Sequence, residues 1–166
     1  MVVKKFFIII ILVIFSFNAF ANTPRSTGKY KNWESFVAET EKGKICFAQT
    51  IPTKRAPAAV KRNKSKLFVT FRPSEEIKDE VSLTSGHDYK TSSVTASSGK
   101  RRYSFFSQKD FAWLLDDQEE KKFIQLMKKA TDIIVKARTT KGAETTDHYS
   151  MMGFTKAYNT AKKTCS

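Results

Sequence analysis

Two histidines sit beside carboxylates in this chain, His87 next to Asp88 and His148 next to Asp147. Imidazole with a carboxylate partner is the acid–base equipment of many hydrolases. The spacing argues against that use. Asp147 and His148 fall in a strand-like run, where neighbours point to opposite faces, and His87 lies in the turn-forming run Ser85-Gly86-His87-Asp88. The chain has no Gly-x-Ser-x-Gly elbow, His-Glu-x-x-His pair or phosphate-cradling glycine loop. No catalytic residue is therefore expected, and a hydrolase using His87 or His148 is the third-ranked reading. Two cysteines, Cys46 and Cys165, and two histidines show none of the short paired spacings of zinc ligands, so neither a metal nor a cofactor is expected.

Charge is the stronger chemical signal. Lys54, Arg55, Lys61, Arg62, Lys64 and Lys66 crowd the acid-free, proline-containing segment 52–66, which predicts an exposed loop. Lys100, Arg101 and Arg102 form a second cluster at a turn. The formal net charge is +14 and the sequence pI about 9.8. Such clusters attract anionic partners and speed their encounter, although charged runs are also often plain solvated surface.

The amino end says where that charge is used. Lys4 and Lys5 precede an almost wholly apolar run at 6–17, and Ala19-Phe20-Ala21 offers a small-x-small cleavage site. A spanning helix needs about 20 apolar residues, so the run predicts a cleavable signal peptide, residues 1–21, over a membrane anchor. The product is one domain, residues 22–166, with no transmembrane span. The leader's only charges are lysines, so the domain itself remains strongly basic. Export favours a single Cys46–Cys165 disulfide over two unpaired thiols. It also makes nucleic acid an unexpected partner despite the pI. The candidates become lipid headgroups, lipopolysaccharide, acidic wall polymers or an acidic protein.

The positioning elements are mostly strands. Residues 30–38 and 44–51 read as strands around the turn Glu41-Lys42-Gly43, after a loose lead-in at 22–31. Strand signals continue at 67–72, stopped by Pro73, and at 80–84. A hairpin at 91–107 turns on Ser97-Ser98-Gly99-Lys100, and 111–115 extends the sheet. A second hairpin pairs 132–139 with 144–151 around Lys141-Gly142. One helix follows Asp116, with Glu119 at the capping-box position and an apolar stripe of Phe123, Leu126, Met127 and Ala130. Another follows Gly153, with Phe154, Ala157, Tyr158 and Ala161 on one face. Most of the remaining phenylalanines fall in strands, where core packing is the default expectation. Eight or nine short strands at this spacing indicate a sandwich or barrel.

The blocks FVTFRPSEEIKDEVSLTSG (68–86), Phe111 and Trp113 ahead of a helix ending Met127-Lys128-Lys129-Ala130, and KGAETTDHYSMMGFTKA (141–157) followed by Cys165 resemble the invasion-associated locus B family of exported alphaproteobacterial proteins. The chain departs from that pattern with Arg62-Asn63 where Arg-Gly is expected. The resemblance implies a mainly-β, immunoglobulin-like sandwich in the periplasm or at the outer envelope, with no catalytic residues to carry over. The expected function is non-enzymatic binding through the basic surface. The runner-up is a periplasmic accessory or stress protein without a role in host invasion.

Overall fold

The computed structural model describes residues 23–166; the expected leader and its cleavage point lie outside the described residues. Eleven strands occur among them: β1 (Arg25–Tyr30), β2 (Trp33–Thr40), β3 (Gly43–Thr50), β4 (Lys54–Ala56), β5 (Lys66–Arg72), β6 (Ile77–Thr84), β7 (Val94–Ser98), β8 (Arg101–Gln108), β9 (Phe111–Trp113), β10 (Asp132–Arg138) and β11 (Glu144–Ser150). All pair antiparallel, in the order β1-β2-β3-β5-β6-β9-β8-β7-β10-β11-β4. Residues Arg101–Phe105 of β8 pair with β7, whereas Phe106–Gln108 pair with β9. One strand thus joins two layers, and the fold is a mainly-β, sandwich-like one with two short helices.

The surplus over eight or nine strands has two sources. The lead-in is not loose: Arg25–Tyr30 pairs with β2 through Tyr30↔Trp33, and a two-residue turn separates the strands. The basic segment is not wholly a loop either, because Lys54–Ala56 pairs with β11. Both additions are edge strands that lack hydrophobic alternation, the signal by which strands are recognised.

Strand alternation builds the core. Val69 and Val81 from one layer and Val94, Ile133, Val135 and Tyr149 from the other belong to a single buried cluster. Each such side chain fully withdrawn from water contributes about 1.5–3 kcal/mol. Helix α1 (Asp117–Lys129) begins where the Asp116 carboxylate accepts the Gln118 and Glu119 amides at 2.8 and 2.9 Å. Glu119 instead pairs with Lys122 at 3.3 Å. Phe123 packs edge-on against Tyr103 and Phe105 of β8.

Helix α2 (Phe154–Thr164) buries the four residues its periodicity singled out, Phe154, Ala157, Tyr158 and Ala161. It lies over the β1–β3 region: Phe154 meets Trp33 at 4.8 Å between ring centroids, and Tyr158 meets Phe71 at 5.5 Å. Gly153 makes the approach possible. Its φ is +96°, and a Cβ there would lie 1.8 Å from the Tyr30 carbonyl oxygen. The Cys46–Cys165 disulfide fastens the far end of α2 to β3, with 5.8 Å between Cα atoms. No helix among the described residues is long and apolar enough to cross a membrane.

Candidate functional site

The basic segment 52–66 divides by what each side chain meets. Arg62 is not surface charge. Its side chain is 3% exposed and faces Asp147, itself 1% exposed, with Nη1 donating to Oδ2 at 2.8 Å and Nη2 standing 2.7 Å from Oδ1. The guanidinium also donates to the Ser85 and Ala56 carbonyls. Asp147 is inward because β11 turns Thr145, Asp147 and Tyr149 to the core and His148 away. Below the ion pair the Tyr149 hydroxyl is buried without a hydrogen-bond partner, and burial raises its pKa well above the ordinary tyrosine value. Tyr89, whose hydroxyl accepts the Ser85 amide, is pushed up to about 12, chiefly by burial.

With Arg62 anchoring the segment, Arg55, Lys64 and Lys66 converge on one cleft of about 350 Å³, completed by Gln49, Ile51, Pro52 and Ser65. Arg55 Nη2 donates to the Asn63 carbonyl at 2.6 Å, which arches the segment over the cleft. Asn63 is in turn held by its amide, which donates to the Gly86 carbonyl at 2.8 Å. Gly86 has φ +76°, and a Cβ there would lie 2.2 Å from the Asn63 oxygen, so a side chain at 86 would displace the arch. Lys66 donates to Gln49 Oε1 at 3.3 Å and lies 5.7 Å from the Phe68 ring centroid. Ile51, 60% exposed, adds an apolar wall. Arg55 Nε also stands 3.8 Å from Asp147 Oδ1, so Arg55 and Arg62 share that carboxylate, and Lys64 and Lys66 carry the charge left for an anion.

The other basic residues stand apart. The register Lys54↔His148↔Ile134↔Ser97↔Arg102 puts Lys54 and Arg102 on the same outer face of the second layer. Four strand spacings separate their backbones by about 19 Å. Arg101 instead lines a shallow groove with Tyr103, Lys121 and Lys122. Lys61 and Lys100 are exposed and line neither this groove nor the cleft. The nine basic residues singled out in the sequence therefore do not form one patch.

Acidic side chains gather elsewhere. Glu76, Asp79, Glu80, Asp116, Asp117 and Glu120 line a groove of about 930 Å³. It adjoins the start of β6, whereas Lys66 pairs with Thr84 at that strand's end, a separation of about 20 Å at strand rise. Glu120 is buried there, accepts the Val81 amide at 3.0 Å, and has its pKa pushed up to about 7, first by desolvation.

Among the described residues the histidines have no carboxylate partner. His87 Nδ1 lies 3.0 Å from the Asp88 backbone oxygen, and Nε2 3.0 Å from Thr145 Oγ1. That hydroxyl belongs to a residue only 2% exposed, out of reach of a substrate. His148 sits on the outer face opposite Lys54, pointing away from Asp147. No group of three or more His, Cys, Asp or Glu side chains able to hold a metal occurs among the described residues.

Sequence reasoning missed an aromatic row. Phe36, Phe47, Phe68, Phe111, Trp113 and Phe106 form a chain of ring contacts across the outer face of the first layer, at centroid distances of 5.2 to 6.4 Å. These phenylalanines are not core, contrary to the default for strand positions. The available signal was parity: each lies at odd spacing from a buried neighbour such as Val37, Cys46 or Val69.

No protein-family model, curated protein or solved structure matches this chain.

Proposed function

We propose that this chain is an exported, non-enzymatic envelope protein of the invasion-associated locus B type that binds an anionic partner, a lipid headgroup or lipopolysaccharide, through the cleft of Arg55, Lys64 and Lys66. The observation that carries this reading is the convergence of those three cations on one cleft, where Lys64 and Lys66 face no carboxylate among the described residues while Arg62 and, at 3.8 Å, Arg55 share Asp147. A disulfide between the chain's two cysteines is compatible with the oxidising compartment that export would supply. The histidine surroundings offer no carboxylate to orient a base and no accessible nucleophile beside one, which favours binding over catalysis.

Co-sedimentation with vesicles tests it. The oxidised protein should pellet with phosphatidylglycerol-containing vesicles and with lipopolysaccharide, remain in solution with pure phosphatidylcholine, and be released as salt rises. Equal behaviour on charged and neutral vesicles would remove electrostatic binding from the account.

A further inference from the structure

The aromatic row meets the basic cleft. Lys66 and Gln49 line the cleft, and both also lie on the outer face of the first layer, where Gln49 is the register partner of Phe68. Lys66 sits over the ring of Phe68, the third member of the row. From there the row runs without a break to Phe106, which is 53% exposed. Ser82, though on the outer face, is only 6% exposed, because its register partners Phe68 and Trp113 flank it. Neither helix covers this face: α2 packs on the opposite side of β2 and β3, against Trp33, and α1 packs on Phe105. The surface is therefore a basic cleft continuous with an aromatic sheet face.

Three occupants would suit exposed aromatics, and the geometry separates them. Single-stranded nucleic acid binds by stacking bases on free ring faces. Here Phe36 and Phe47 stack on each other at 15°, and Phe68–Phe111 and Phe111–Trp113 at 29° and 25°, so the faces are largely used within the row. A second copy of the chain would bring together two strongly basic bodies, each still of large positive charge once the two leader lysines are taken from the formal +14. An anionic bilayer satisfies both parts of the surface. Cations on its phosphates and aromatic rings at the headgroup–acyl boundary are how interfacial proteins bind. We infer that the outer face of the first layer lies flat on an anionic leaflet, with Arg55, Lys64 and Lys66 on lipid phosphates and the row from Phe68 to Phe106 against the acyl boundary. This rests on the anionic-partner reading above and deepens it from a headgroup to a membrane surface.

Tryptophan emission reads the contact. Of the chain's two tryptophans, Trp33 is fully buried and Trp113 lies in the row. Titrating the oxidised protein with phosphatidylglycerol–phosphatidylcholine vesicles should blue-shift the emission, and brominated acyl chains should quench it. Trp113→Phe should abolish both signals. Phe106→Ser, at an exposed position that spares the fold, should weaken retention about tenfold at moderate salt, where the electrostatic part is screened but the protein is still bound. Salt-sensitive retention with Trp113 emission unchanged would overturn the membrane face and leave the cleft reading standing. Absence of binding to vesicles and to lipopolysaccharide alike would overturn both. A Trp113 signal given by oligothymidylate, or by raising protein concentration alone, in place of vesicles would overturn the inference in favour of nucleic acid or a second copy.

Discussion

Arg62 and Asp147 form a nearly solvent-free ion pair at 2.7 Å that ties the most basic segment of the chain to the inner face of β11. Removing one member of such a pair leaves a buried charge unmatched, which costs about 3–5 kcal/mol. Asp147→Asn, which strands the buried Arg62, should lower the denaturation free energy by that amount, and Arg62→Ala by somewhat less, because Arg55 Nε stands 3.8 Å from Asp147 Oδ1. Lys61→Ala, one residue away and exposed, should change it by no more than about 0.5 kcal/mol. Urea titrations of the three variants check this, and equal small effects at all three positions would mean that the pair does not anchor the segment.

The disulfide closes a sequence separation of 119 residues and secures α2. Cys46→Ser/Cys165→Ser should lose about 2–5 kcal/mol. Amide exchange should accelerate first in α2, whose carboxy end the bridge holds to β3. Uniform acceleration across all strands would place the bridge's effect in global stability alone.

Glu120 gives a pH dependence with a definite sign. Its folded-state pKa is raised to about 7 from the ordinary 4.5, so the fold favours the protonated acid. The stabilisation is fully present below the unfolded value and is lost as pH rises through about 7. Glu120→Gln keeps an acceptor for the Val81 amide and removes the titration. Its stability should match wild type near pH 5 and exceed it by on the order of 2 kcal/mol near pH 8, a shift of several degrees in melting temperature. Parallel wild-type and variant profiles across that window would assign the decline to other groups.

Periodicity made the helices and central strands legible. The α2 stripe of Phe154, Ala157, Tyr158 and Ala161 is buried as its spacing requires, and the 132–150 hairpin pairs in full register. The edge strands β1 and β4 were not legible, since polar edge sequences such as RSTGKY carry no alternation. The site was half legible. A run of cations marks a basic surface, but only pairing to Asp147, 85 positions away, removes Arg62 from it. The aromatic row was hidden for a related reason. Phe36, Phe47 and Phe68 come from three strands, and alternation says that each opposes a core neighbour without saying which face lacks a cover.

The most direct measurement compares vesicle affinity for two variants carrying the same change in net charge, Lys64→Glu/Lys66→Glu in the cleft and Lys100→Glu/Arg102→Glu at the distant hairpin. If the cleft is the binding site, the first should lose retention on anionic vesicles by at least about tenfold at moderate salt, and the second by no more than the general field effect of a few-fold. Both should melt as wild type. Equal losses in the two variants would contradict a localised site and reduce the basic surface to net charge alone.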